Sequence, residues 1–320
     1  MKIKLSIVVP MYNAEEYVKE MLDSALDGVD ESVEVIVVDD GSTDGSYQVV
    51  ESYPDSRVHL YSQPNSGAPA ARNNGLGKAK GEYVLFFDAD DFFVKGAVRK
   101  ILKRIAKSEH DLYVGNMYRY DGKEAKLEFK DMNWLRTTYD YYMGSPSPNS
   151  KVYRRSILIE NQIQFEGIRL AQDLNFYLKF LGVSQDIQPL NFPFFYYRYV
   201  GNSISHITND RILDIGKSIK LAIAFYDRHN VSKECYSYAY LAGVKHTNYQ
   251  LVKLKDVEDA ELIRTLYPKM VRIWNGFFKR AKLGRFDLNY LEKKWIDAAI
   301  QMLYRFRVKK QMKALCRKSS

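Results

Sequence analysis

One stretch of the sequence restricts the fold more than any other, because a run of strand-forming residues ends directly in carboxylates. Residues 83–87 (Tyr-Val-Leu-Phe-Phe) suit a buried β-strand, since aromatic and branched side chains pack well on a pleated surface. Asp88, Asp90 and Asp91 follow at once, with the small Ala89 between the first two. Ligands of open parallel sheets bind beyond the carboxyl ends of the strands. We therefore expect ligand-binding side chains at this point.

Grouped carboxylate oxygens at a strand end suit a hard divalent cation, Mg2+ or Mn2+, that also takes phosphate oxygens into its shell. The alternative interpretation of Asp88–Asp91 is a strand followed by a solvated acidic turn, which is common in proteins. This stretch by itself does not decide between the two, so the rest of the chain has to.

Strand-like runs alternate with helical patterns along the first part of the chain. Such alternation is typical of βαβ units, so the sequence predicts an α/β fold with a mainly parallel sheet and flanking helices. After about residue 210 the pattern changes to long helical stretches with few glycines, which predicts a domain boundary there. The predicted strands lie at residues 5–10, 33–38, 58–61, 83–87 and 111–115.

Composition narrows the class of protein and its surroundings. The chain has 320 residues, enough for a large domain and a smaller one, and its net charge of +9 points to an anionic partner. Its two cysteines are far apart, which predicts a reducing compartment rather than a disulfide scaffold. The first strand begins within a few residues of Met1, and no apolar run is long enough to cross a bilayer. We therefore expect a cytoplasmic protein without a signal peptide.

Two further strand ends carry polar side chains that fit a nucleotide. Tyr12 follows the first strand and can stack on a base, whereas Asp40 follows the second and can accept from a base N–H. The alternatives are a surface tyrosine and a helix-capping turn. Arg72, in a segment of small residues, can grip a diphosphate with two hydrogen bonds, although a surface salt bridge is the common fate of an arginine. The NAD-binding Gly-x-Gly-x-x-Gly pattern does not follow the first strand.

Four segments of the chain, taken in the order in which they occur, resemble the motif set of the family 2 glycosyltransferases. The resemblance covers roughly residues 4–210 and implies the GT-A fold, a Rossmann-like sheet with flanking helices. It also implies a nucleotide-sugar donor, a divalent metal and inversion at the anomeric carbon. The four segments are Val8–Asn13, Val38–Asp44, Gly67–Gly75 and Asp88–Asp91.

The resemblance implies a role for individual residues. Asp90, with Asp88, is expected to bind Mn2+ or Mg2+, and His206 is a further candidate ligand in a segment that closes over the donor. Asp173 is expected to be the catalytic base, although the Glu-Asp pair usual in the family reads Gln172-Asp173 here, and a helix cap is the alternative. The donor is expected to contact Pro10, Tyr12, Asp40, Arg72, Asp88 and Ala89.

The sequence thus predicts a catalytic domain at residues 1–210 and a helical region at 211–320. Between Leu303 and Lys318 the helical region has seven basic residues and no acidic one, so we expect either peripheral contact with the inner face of the plasma membrane or a solvated basic end. No nucleic-acid motif accompanies the charge.

The function indicated is transfer of a sugar from a UDP-sugar to a hydroxyl of a glycan or lipid-linked acceptor in bacterial surface polysaccharide synthesis. The alternatives are a nucleotide-sugar-binding module without catalysis and, less favoured, a scaffolding protein built on the C-terminal helices.

Overall fold

A computed structural model describes residues 2–199, 208–254 and 257–281. These residues fall into two compact units, the first within 1–167 and 172–203 and the second within 168–171 and 204–320. His206 and the basic segment 303–318 lie outside the described residues, so their expected roles stay predictions from the sequence. The division into domains at 210 likewise stays a prediction.

The first unit contains nine strands and seven α-helices among its described residues. Its strands are β1 Leu5–Met11, β2 Val33–Asp39, β3 Val58–Ser62, β4 Tyr83–Phe86, β5 Phe92–Phe93, β6 Leu112–Tyr120, β7 Ala125–Leu127, β8 Lys151–Arg154 and β9 Ile187–Arg198. Its helices are α1 Val18–Ala25, α2 Ser46–Glu51, α3 Ala68–Lys78, α4 Ala97–Lys107, α5 Thr138–Met143, α6 Arg155–Glu160 and α7 Gln172–Val183.

The strands form one mixed sheet in the order β3-β2-β1-β4-β8-β6-β9-β5, with β7 paired to β6. β1 to β4 are parallel to one another, as the alternating pattern predicted. β8 then enters antiparallel between β4 and β6. This insertion matters for the site, because the loop that leads into β8 comes to lie beside the end of β4.

The sheet is covered on both faces, which explains why its central strands are mostly apolar. Ile7 and Val9 of β1 belong to a core that includes residues of α1 and α4. Phe86 of β4 belongs to a second cluster, where its ring meets Phe165 and Phe176 edge-on at centroid distances of 5.0 and 5.4 Å. Because Phe165 and Phe176 stack on each other at 3.9 Å, this aromatic cluster fixes α7 against the sheet.

Helix α3 approaches the sheet closely at Gly75. A Cβ added there would lie 2.4 Å from Cγ1 of Val8, in the middle of β1, and 3.3 Å from Cγ2 of Val38. The absence of a side chain therefore sets the distance between α3 and the sheet, and α3 is the helix that carries Arg72.

The described residues of the second unit form three α-helices, α8 Asp214–Arg228, α9 Lys233–Lys253 and α10 Ala260–Arg280. Within this unit Arg169 pairs with Asp210 and Asp214, both at 3.0 Å. Its helical character agrees with the pattern expected after residue 210. Among the described residues, no helix is both long enough and apolar enough to cross a bilayer.

We predict that Gly75→Ala destabilises the protein by about 1–3 kcal/mol, because the added methyl group overpacks a rigid strand. Urea unfolding followed by circular dichroism measures the effect. Gly77→Ala is the matched control in the same helix, since a Cβ at Gly77 meets nothing within 4 Å. It should be neutral or stabilising by up to about 1 kcal/mol. Equal losses in both variants would contradict the packing argument.

Candidate active site

The first part of the site is the loop after β4, residues 88–91, which we call the acid loop. The amide of Asp91 donates to the carbonyl of Asp88 over 3.2 Å and closes a tight turn. One oxygen from each of Asp88, Asp90 and Asp91 lies within 4.8 Å of the other two. The turn therefore gathers three carboxylates around a space of the size that one cation takes.

Arg72 connects the acid loop to a residue far along the chain. Its Nη2 donates to Oδ1 of Asp88 over 2.7 Å, and its Nη1 donates to Oδ1 of Asp173 over 3.2 Å. The guanidinium is buried and lies over the ring of Phe165, with 5.2 Å from Cζ to the centroid. Asp88 and Asp173, 85 residues apart, are thus held by one planar cation.

Asp173 lies inside the first turn of α7, which begins at Gln172. Burial raises the pKa of its carboxyl, and the negative charge of Asp88 acts in the same direction, whereas the charges of Arg72 and Lys151 oppose the rise. Only Oδ1 accepts from Arg72, and the described residues show no hydrogen bond to Oδ2. The second oxygen is therefore available to accept a proton from a bound molecule.

The pKa values of two carboxyls of the acid loop, those of Asp90 and Asp91, are also raised. Burial, followed by the charge of Asp88, raises the pKa of Asp90 to about 6. The same two causes raise the pKa of Asp91 well above its usual range. Within the described residues no other side chain donates a hydrogen bond to Asp90, so its charge is poorly balanced.

These features test whether a divalent cation fits the acid loop. The donors are carboxylate oxygens, which Mg2+ and Mn2+ prefer, and they converge on one small space. Among the described residues, no other residue donates a hydrogen bond to the carboxylate of Asp90, whereas Arg72 donates to Asp88 and the backbone amide of Arg198 donates to Asp91. The residues present therefore fit such an ion.

Tyr12 and Asp40 lie at neighbouring strand ends, where the amide of Asp40 donates to the carbonyl of Met11 over 2.8 Å. The side chain of Tyr12 is 50% exposed, as a stacking platform requires. The carboxylate of Asp40 accepts from the side-chain amide of Gln63 at 2.8 Å and from the backbone amides of Ser66 and Gly67 at 2.8 and 2.7 Å. Asp40 thus also shapes the loop that leads into α3.

Comparison with known proteins assigns this arrangement to a family. The model of the family described as "Glycosyl transferase family 2" matches residues 6–162. TuaG of Bacillus subtilis (strain 168), a glycosyltransferase named for teichuronic acid biosynthesis, is 33% identical over 210 residues that cover 63% of this chain and 81% of TuaG. The chain belongs to glycosyl transferase family 2. The family indicated by the four sequence motifs is therefore confirmed.

Solved structures confirm the fold class of this family 2 member. The TarS 1–349 fragment of S. aureus in complex with UDP has a TM-score of 0.62 at 23% identity, covering 89% of this chain and 93% of that chain. The mannosyltransferase PcManGT from Pyrobaculum calidifontis, in complex with GDP-Man and Mn2+, has a TM-score of 0.53 at 18% identity and covers 92% and 88%. Other curated relatives are longer, and the chain spans about a third of their length.

The structure places the predicted site residues of this family 2 chain in three groups. Asp88, Ala89 and Asp90 share the acid loop, and Arg72 joins this loop to Asp173. Pro10 and Tyr12 lie at the end of β1 beside Asp40. The roles expected for these residues stay predictions, since the structure gives their positions and contacts.

Sequence reasoning missed three side chains that contact this site. Asn149 and Lys151 flank Ser150 at the entry to β8, and Arg198 ends β9 with its Nε donating to the carbonyl of Asp90. The prolines and serines of residues 145–150 predict an exposed loop, but Pro148, Asn149 and Ser150 are buried. That expectation was wrong because the ammonium of Lys151 satisfies the loop's carbonyl groups inside the protein.

We predict that Asp90→Asn stabilises the metal-free protein at neutral and higher pH. The pKa of Asp90 is about 6 in the folded protein against 3.8 ordinarily, so ionisation opposes folding. The cost is complete above pH 6 and absent below about pH 4, where both states are protonated. The gain above pH 7 should be about 1–3 kcal/mol and should vanish towards pH 4.

Urea unfolding in EDTA across this pH range measures that gain. Asp121→Asn is the matched control, because hydrogen bonds from the amides of Glu124 and Lys123 lower the pKa of Asp121 and its loss should not stabilise the protein. A gain at Asp90 that does not depend on pH would contradict the assignment of the effect to its charge.

Proposed function

We propose that this protein is a metal-dependent inverting glycosyltransferase that moves a sugar from a UDP-sugar to a hydroxyl of a glycan or lipid-linked acceptor in bacterial surface polysaccharide synthesis. Membership of family 2 supports sugar transfer. The likeness to the UDP-bound TarS fragment supports UDP as the nucleotide, and the name of TuaG supports a surface polysaccharide as the product.

The observation that carries the proposal is the position of Arg72 between Asp88 and Asp173. A donor diphosphate has to lie near the acid loop, and the attacking hydroxyl has to lie near a base on the other side of the anomeric carbon. One buried guanidinium that touches both carboxylates brings those two requirements into a single site.

At the donor end, each residue has a distinct task. The exposed ring of Tyr12 stacks on the uracil beside Pro10, and Asp40 accepts from the edge of the base. Ala89 keeps the acid loop narrow enough for the donor to approach its backbone. Arg72 keeps its contact with Asp173 and directs its other N–H donors towards the diphosphate.

Asp88 and Asp90 hold a Mn2+ or Mg2+ ion, with His206 a further candidate ligand. When bound, this ion neutralises negative charge on the departing diphosphate. Arg72 supplies fixed positive charge from the protein to the same leaving group. Asp90 is deprotonated for this task, and its raised pKa means that protons and the ion compete for it at mildly acidic pH.

At the acceptor end, Asp173 takes the proton from the acceptor hydroxyl while the hydroxyl oxygen attacks the anomeric carbon. The bond from that carbon to the diphosphate oxygen breaks on the opposite face, so the configuration inverts. The Oδ2 atom of Asp173 receives the proton, because Arg72 already holds Oδ1. We propose a cytoplasmic location with peripheral contact of the basic segment 303–318 at the inner membrane surface, for which a solvated basic end is the alternative.

We predict that Asp173→Asn keeps UDP binding and lowers turnover roughly 100- to 10,000-fold, the usual effect of losing a general base. Release of UDP from a panel of UDP-sugars with Mn2+ and an acceptor mixture measures turnover, and calorimetry measures UDP affinity. Turnover within a few-fold of the wild type would remove Asp173 from the mechanism. If the wild type binds UDP but turns over no donor, a binding module without catalysis becomes the better description.

We also predict a pH effect from Arg72. Because the charge of Arg72 lowers the pKa of Asp173, its removal in Arg72→Gln should raise that pKa. A base has to be deprotonated, so the acidic limb of the turnover profile should move to higher pH. The profile is measured at saturating donor and Mn2+, and an unmoved limb in an otherwise slower variant would separate Arg72 from the base.

A further inference from the structure

The loop that leads into β8 makes contacts that the proposed reaction does not yet use. Residues 148–150 form a single 3₁₀ turn, and all three are buried. The turn lies at the edge of β4 because β8 pairs antiparallel with that strand. In the sheet order, the turn therefore lies on the β8 side of β4, whereas the helix that carries Arg72 lies on the other side of β4.

Asn149 bonds two carboxylates of the acid loop through one amide group. Its Nδ2 lies 2.9 Å from Oδ2 of Asp88 and 2.7 Å from Oδ2 of Asp91, and the residue is 1% exposed. An NH2 group has two hydrogens, so it can donate one to each oxygen. The amide is thus a neutral bridge between two groups that would otherwise repel each other.

Lys151 fixes the loop that carries Asn149. Its ammonium donates to the carbonyls of Ser145 and Ser147 at 2.7 and 2.6 Å and to Oγ of Ser150 at 3.2 Å. The ammonium also lies 4.4 Å from the ring centroid of Tyr177 on α7, and the side chain is fully buried. Because the ammonium binds groups that precede and follow Asn149 in the sequence, the loop has little freedom to move the amide.

We propose that Asn149 is a positioning residue that sets the spacing of Asp88 and Asp91 around Asp90 for a divalent cation, and that Lys151 holds Asn149 in place. This inference rests on the proposed function, because it takes the acid loop as the metal site. Neither residue has to touch the ion or the donor. Both act through the carboxylates, as residues behind metal ligands generally do.

Removal of the amide has two opposite effects on the affinity for the ion. It leaves two carboxylates with less hydrogen bonding, which favours a cation, and it lets them move apart, which disfavours one. Because the substitution adds no negative charge to the acid loop, we expect the lost spacing of the carboxylates to lower the affinity more than the lost hydrogen bonds raise it. Substitution of residues behind metal ligands typically lowers affinity roughly 10- to 100-fold.

The test measures Mn2+ binding directly, by calorimetry and by the electron paramagnetic resonance signal of free Mn2+, without substrate. Asn149→Ala is compared with Asn116→Ala, a buried asparagine of the same unit whose amide donates to the backbone carbonyl of Phe129. Lys151→Met is compared with Lys179→Met, a buried lysine of the same unit that pairs with Glu166. Asn149→Ser, which keeps one donor, serves if Asn149→Ala does not fold.

We expect Asn149→Ala and Lys151→Met to weaken Mn2+ binding at least about tenfold, Asn149→Ser to weaken it less, and both controls to stay within about twofold of the wild type. An affinity of Asn149→Ala equal to that of Asn116→Ala, or an equal affinity of Asn149→Ser where Asn149→Ala does not fold, would overturn the inference while leaving the metal site intact. Wild-type protein that binds no Mn2+, or binds it equally well after Asp90→Asn, would instead overturn the metal-dependent part of the proposed function and this inference with it.

Discussion

The site depends on one buried cation, the guanidinium of Arg72, that is shared by two carboxylates. A buried charge is tolerated only when it is paired and hydrogen-bonded, and Arg72 meets this condition through Asp88 and Asp173. The constraint also works in the other direction, because Asp173 is held at the start of α7 by the same contact. Two packing contacts fix the position of this arginine. Helix α3 lies close against the sheet at Gly75, and the guanidinium lies over the ring of Phe165 in the aromatic cluster.

The mixed sheet explains how residues from distant parts of the chain meet. The parallel half brings the ends of β1, β2 and β4 to one edge, which is where nucleotide-binding side chains of open sheets lie. β8 runs the other way beside β4, so the loop before it, and not after it, arrives at the acid loop. A purely parallel sheet would have brought a different connection there.

The sequence allowed the parallel strands and the acid loop to be predicted because both depend on local patterns. Buried strands show as apolar runs, and Asp88 and Asp90 follow one of them directly. The placement of Asp173 beside Arg72 came only from the family resemblance, since no spacing rule relates residues 101 apart. Asn149 was missed because prolines and serines predict exposure, and only the three-dimensional structure shows that Lys151 takes up the carbonyl groups of that loop.

The balance of charge at the site gives a physical reason for coupling between ion, donor and base. Four carboxylates, those of Asp88, Asp90, Asp91 and Asp173, face three neighbouring cations, Arg72, Lys151 and Arg198, and the last of these also pairs with Glu20. Burial and this excess of negative charge together account for the raised pKa values of Asp90 and Asp91. In the proposed reaction a donor diphosphate would add further negative charge, so we expect it to bind well only together with a divalent cation. In the proposed reaction Arg72 stays paired with Asp173, and its charge, which lowers the pKa of Asp173, helps to keep that carboxylate ionised when an acceptor hydroxyl arrives.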